Sequence, residues 1–117
     1  MFKEFEINGV TYKLRLDTKN CIALEEKLGH SPLDEIVAVE DGKIPTFSFI
    51  ITVLYYAMLK YHPGTKLEEV YSIFDTYIEN GGSIMDLLPI VLDIFKQSGF
   101  FNNPQNKTVE KKIVKKA

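Results

Sequence analysis

FSFIITVLYYAMLKY, residues 47–61, decides the fold of this chain. Only Ser48, Thr52 and Lys60 interrupt the apolar and aromatic run. Phe47, Ile50, Ile51, Leu54, Met58 and Tyr61 recur at helical spacing, while Phe49, Val53, Tyr56, Ala57 and Leu59 make the opposite side apolar too. A helix that is apolar all round belongs in a core or a membrane. A bilayer span needs ~20 apolar residues. This run is shorter, is closed by His62-Pro63-Gly64, and lies between amphipathic segments. It reads as the central helix of a small domain, covered by the others.

Upstream, Phe5-Glu6-Ile7-Asn8-Gly9-Val10-Thr11-Tyr12 predicts a β-hairpin. Asn-Gly suits a type I′ turn, which needs positive φ at both central residues. A two-residue loop pairs Ile7 with Val10 and Phe5 with Tyr12, sets Glu4 opposite Lys13, and continues the apolar stripe into Leu14 and Leu16. A lone hairpin is marginal in water, so this face should pack on helices. Asp17 or Thr18 then caps a helix to about Lys27, stopped by Gly29, with Cys21, Leu24 and Leu28 inward and Ile22 flanking. Ser31-Pro32-Leu33-Asp34 opens a short helix to about Val39. Pro45 and Thr46 open the central one.

Downstream, Thr65 and Glu68 have capping-box spacing. Leu67, Val70, Tyr71, Phe74 and Ile78 form the apolar stripe of the helix that follows. Asn80-Gly81-Gly82 ends it. Ser83 starts a last helix with Ile84, Leu87, Leu88, Val91, Leu92 and Phe95 on one side, in which Pro89 should make a kink, and Gly99 stops it. The expected class is α+β, mainly α: a hairpin over residues 3–16 packed on about five helices over residues 18–99. Residues 1–101 then form one globular domain, and 102–117 a flexible lysine-rich tail.

A 117-residue chain suffices for one such core. One cysteine excludes an internal disulfide and suits a reducing compartment. The opening MFKEFEING turns polar at once, which predicts no signal peptide and a cytoplasmic location. Net charge is −2 but unevenly spread. Residues 1–101 carry nine basic and fifteen acidic side chains; beyond them stand five lysines against Glu110. An acidic body argues against a nucleic-acid face on the fold itself. The lysine tail, without interleaved arginine or aromatic residues, makes a weak case for phosphate contacts.

Chemistry-bearing constellations are sparse. His30 and His62 flank helix-ending residues, and Cys21 has no CxxC partner, so neither a metal site nor a cofactor is expected. A buried, inert thiol is the expected state of Cys21. Asn80-Gly81-Gly82-Ser83 lacks the lysine and the preceding strand of a phosphate loop. Glu25-Glu26, Glu40-Asp41 and Glu68-Glu69 are adjacent acids that diverge on a helix, unlike an acid/base pair. No catalytic residue is assigned, and a non-enzymatic role is expected. Phe100-Phe101, just beyond a helix stop, either fold back as a plug or stay exposed as a docking point.

The whole layout, from the ING-x-x-Y-x-L-R-L opening through ALEE-x-LG-x-S-x-L to the helix–HPG–helix junction, resembles the small tail assembly chaperones of long-tailed phages and prophages of Gram-positive bacteria. The likeness covers about residues 5–101. It implies a non-enzymatic protein that coats the tape measure protein and recruits tail tube subunits in the host cytoplasm, outside the mature virion. Many relatives also have a longer, frameshifted product. On this likeness the partner contact includes Tyr77, Phe100, Phe101, Lys111 and Lys112, without membrane or nucleic acid, and self-association stays open. A generic helical adapter or regulator, and a small nucleic-acid-binding protein using the tail, are the rival expectations.

Overall fold

Two strands, Lys3–Ile7 (β1) and Val10–Leu14 (β2), meet at Asn8-Gly9 in the computed structural model, which describes residues 2–100. Asn8 has φ 53° and Gly9 φ 80°, the two positive values that a type I′ turn demands. The register pairs Ile7 with Val10, Phe5 with Tyr12 and Glu4 with Lys13, as the alternation requires. Ile7, Leu14 and Leu16 are buried on the helical side.

Five α-helices follow among the described residues: Thr18–Leu28 (α1), Pro32–Glu40 (α2), Phe47–Met58 (α3), Leu67–Glu79 (α4) and Leu88–Ser98 (α5). The protein is therefore a mainly helical α+β fold, with the hairpin laid on a helical body. The start signals of the first three helices operate as read. Asp17, Ser31 and Thr46 each accept a hydrogen bond from a first-turn amide, of Asn20, Leu33 and Phe49 respectively. Gly29 and Gly99 end α1 and α5 in the left-handed conformation.

α3 is the hub, touching α1, α4, α5 and β2. Phe49, Ile50, Ile51, Val53, Leu54, Ala57 and Met58 are buried on both of its sides, in one core with Leu24, Ile36, Val70, Phe74, Val91 and Phe95. Phe49 and Phe95 stack with ring centroids 6.4 Å apart. The hairpin is tied down at several points. The Arg15 backbone N–H donates to Ala57 O at 2.8 Å, and the Arg15 guanidinium to Gln97 O at 2.6 Å. Asn8 Nδ2 donates to Ile73 O at 3.0 Å, and Lys3 pairs with Asp93 at 3.1 Å.

Four readings need correction. The central helix stops at Met58, where the Leu59 N–H turns to Tyr56 O at 3.4 Å, three residues back instead of four. Its ends are not enclosed: Phe47 is 50 % exposed, and Tyr61 also faces solvent. The Thr65 capping box does not form. The Thr65 hydroxyl donates backward to His62 O at 2.7 Å, leaving Lys66 as an N-cap without a side-chain hydrogen bond. Pro89 kinks nothing: Ser83 caps a one-turn 3₁₀ segment, Ile84–Leu87, and a separate helix begins at Leu88 with Pro89 in its first turn. There the missing N–H costs nothing, since first-turn amides have no intrahelical partner. Lastly, α4 is rotated from its expected stripe. Val70 and Phe74 are buried and Ile73 and Tyr77 half-buried, while Tyr71 and Ile78 are 52 % and 41 % exposed.

Candidate partner-binding surface

The structure places the five expected contact residues unequally. Tyr77 is half-buried and internal to the fold. Its ring lies edge-on to Phe74 and over Gly82, and its hydroxyl donates to Ser83 O at 3.1 Å. Burial, with the nearby charge of Asp86, pushes its pKa up, so the phenol keeps its proton. Phe100 folds back, packing edge-on against Phe95 at 5.3 Å and closing one side of a shallow recess with Thr18, Cys21 and Ile22. That is the plug arrangement. The two rings thus pack on different elements rather than forming one patch. Phe101, Lys111 and Lys112 lie outside the described residues, as does the expected tail over 102–117.

A different surface emerges between α2 and α5. Ile36, Val39 and Leu92, with the stems of Glu40 and Lys96, line an apolar notch of about 220 Å³. Residues 36, 39 and 40 sit on one face of α2 because positions three and four apart are neighbours on a helix. Leu92 and Lys96 align on α5 for the same reason. Beyond this notch α2 leaves Val37 exposed, and the link to α3 leaves Ile44 exposed at 79 %. α2 buries Pro32 and Ile36 and half-buries Leu33, Ala38 and Val39, so Val37 is its exposed large apolar side chain. Asp34, Glu35, Glu40 and Asp41 make it acidic, with no base in the helix. Apolar anchors with a charged rim can take a helix laid into a groove.

Sequence reading missed this surface. The signal available was the apolar content of IVAV, residues 36–39, which exceeds what one buried stripe needs. Nothing in the chain tells that Leu92, more than fifty positions away, completes the notch.

The remaining reactive groups are committed locally. The Cys21 thiol is pushed up to about 11 by burial, then by Glu25 and Asp17, and it donates to Leu16 O at 3.5 Å. It is protonated at neutral pH, whereas a nucleophile needs the thiolate. His62 Nε2 accepts the Lys13 N–H at 3.2 Å, and His30 meets Glu35 at 3.0 Å. Among the described residues no group of three or more His, Cys, Asp or Glu side chains is placed to hold a metal. None of the described helices is long and apolar enough to cross a membrane.

No curated protein and no solved structure matches the chain. One family model does, described as a family of unknown function, DUF6096, and it matches residues 2–116. That span takes in the hairpin, every helix and most of the segment beyond, and the chain belongs to the DUF6096 family.

Proposed function

We propose that this protein is a non-enzymatic tail assembly chaperone of a long-tailed phage or prophage. In this reading it acts in the host cytoplasm and is left out of the mature virion. It binds amphipathic helices of the tape measure protein and recruits tail tube subunits as it is displaced. The layout of hairpin and helices carries the resemblance to that family. The observation that supports a partner-binding role is the apolar notch between α2 and α5. Tape measure helices present apolar stripes that need shielding before the tube closes, and a helix groove is the matching shape. A contact centred on one such notch is small, which suits a partner meant to leave.

Co-expression with a tape measure protein tests this. The wild-type chain should co-purify with it. Val39→Lys and Leu92→Lys place a charge in the notch and should abolish co-purification while leaving the far-ultraviolet circular dichroism spectrum unchanged. Full co-purification by both variants would remove the notch from the reading, and none by the wild type would remove the reading itself. Truncation after Phe100 separates the role of Phe101, Lys111 and Lys112 from that of the notch.

A further inference from the structure

The notch between α2 and α5 has walls of opposite charge. Glu40 stands on the α2 side and Lys96 on the α5 side, over an apolar floor of Ile36, Val39 and Leu92. Neither makes an ion pair among the described residues. Glu35, one turn before Val39, adds a second acid to the α2 side and meets His30 at 3.0 Å. A fitting occupant puts apolar side chains down, cations toward α2 and an anion toward α5.

One segment of this chain has that pattern, and it begins beside the notch. α5, which supplies Leu92 and Lys96, ends at Ser98, and Phe100 folds back on Phe95. Lys96 lies about 3 Å, and Leu92 about 9 Å, along the helix axis from that end. The sequence continues as NNPQNKT, residues 102–108, in which Asn103-Pro104 is a turn-favouring pair. Extended, residues 101–108 reach ~26 Å, more than the return requires. VEKKIVKK, residues 109–116, comes next and lies within the span matched by the family. At helical spacing Val109 and Ile113 share one face, with Glu110 on one side of them and Lys112 and Lys116 on the other. We propose that residues 109–116 dock back into the notch as a short helix. Val109 and Ile113 are its anchors, Lys112 and Lys116 face Glu40 and Glu35, and Glu110 faces Lys96. A tether this short holds the segment near its site at an effective concentration of about millimolar, so weak contacts suffice. Docked there it covers the partner surface until an incoming helix displaces it. That consequence rests on the tape measure reading above; the docking itself does not.

Paramagnetic broadening in nuclear magnetic resonance spectra of the full chain tests the docking. No tape measure protein is present, so the outcome is independent of the co-purification. The probe is a nitroxide on Ala117→Cys, in a Cys21→Ala background that leaves one thiol to label. Amide signals of residues 36–40 and 92–96 should broaden far more than those of α4. Ile113→Lys should abolish that difference. Glu40→Lys and Lys96→Glu each reverse the charge of one wall, and each should weaken docking roughly threefold. A tail held by its positive charge alone would instead dock more tightly on Lys96→Glu. Tighter docking in that variant, broadening spread evenly or centred elsewhere, or an unchanged pattern in Ile113→Lys would overturn the proposal. Broadening of isotope-labelled chains by separate spin-labelled ones would make a second copy the occupant and overturn it too.

Discussion

Gly82 has no side chain because the Tyr77 ring occupies the space one would need. A Cβ placed there would sit 2.4 Å from the ring, and Gly82 has no positive φ to complicate a substitution. Gly82→Ala should therefore destabilise by about 1–3 kcal/mol through overpacking alone. In a Tyr77→Ala background most of that cost should vanish, which urea denaturation of the double-mutant cycle reads directly. Cys21 gives a chemical counterpart. A thiol raised from 9.0 to about 11 holds far less thiolate at pH 8, so iodoacetamide should react with the native protein about 100-fold more slowly than with the urea-unfolded chain. The same shift has a stability consequence. The folded thiol keeps its proton to higher pH than the unfolded one, so its contribution is full below pH 9 and declines as pH rises to about 11. Between pH 8 and 10.5 the urea midpoint of the wild type should fall further than that of Cys21→Ala. At this scale Asn8-Gly9 was fully legible, since a local steric rule governs it. The hydrogen bond from Asn8 to Ile73 was not, because it joins residues far apart in the chain.

Among the elements, α4 shows how a pattern can be right in period and wrong in phase. Its apolar positions outnumber one buried stripe, and the sequence period cannot say which of two adjoining stripes meets α3. The packing selects Val70, Ile73, Phe74 and Tyr77. Its start lacks a side-chain cap, for Lys66 supplies no oxygen to the first-turn amides. Lys66→Ser should stabilise by about 1 kcal/mol and raise the melting temperature, because a capping hydroxyl replaces a cation at the positive end of the dipole. An unchanged melting point would show that Thr65 or solvent already satisfies those amides. Pro89 teaches the complementary lesson. Its rule is local, but whether it falls inside a helix or at a helix start depends on where the preceding 3₁₀ turn ends.

For the whole molecule, burial ranks the elements by how late they should open. Val53, Leu54 and Ala57 of α3 are fully enclosed, with contacts from helices and hairpin alike. Native-state hydrogen exchange should find their amides the slowest, and those of α2 among the fastest of the helical ones. Leu54→Ala should cost about 2–5 kcal/mol, the usual penalty for a cavity in a well-packed core. Leu14→Ala should cost a similar amount, which would show that the hairpin is part of the cooperative unit. A hairpin that detaches without lowering the urea midpoint would contradict this.

Sequence alone determined the hairpin and its register, the caps of α1, α2 and α3, the approximate extents of five helices and the choice of the central one. Each follows from residues within one turn or one hairpin of each other, where sterics and hydrogen bonding leave few alternatives. Tertiary structure decided which stripe of α4 is covered, that Tyr77 and Phe100 pack inward, and that Ile36 meets Leu92. Those outcomes depend on which surfaces the folded chain brings together, and no local pattern encodes a neighbour that lies dozens of residues away.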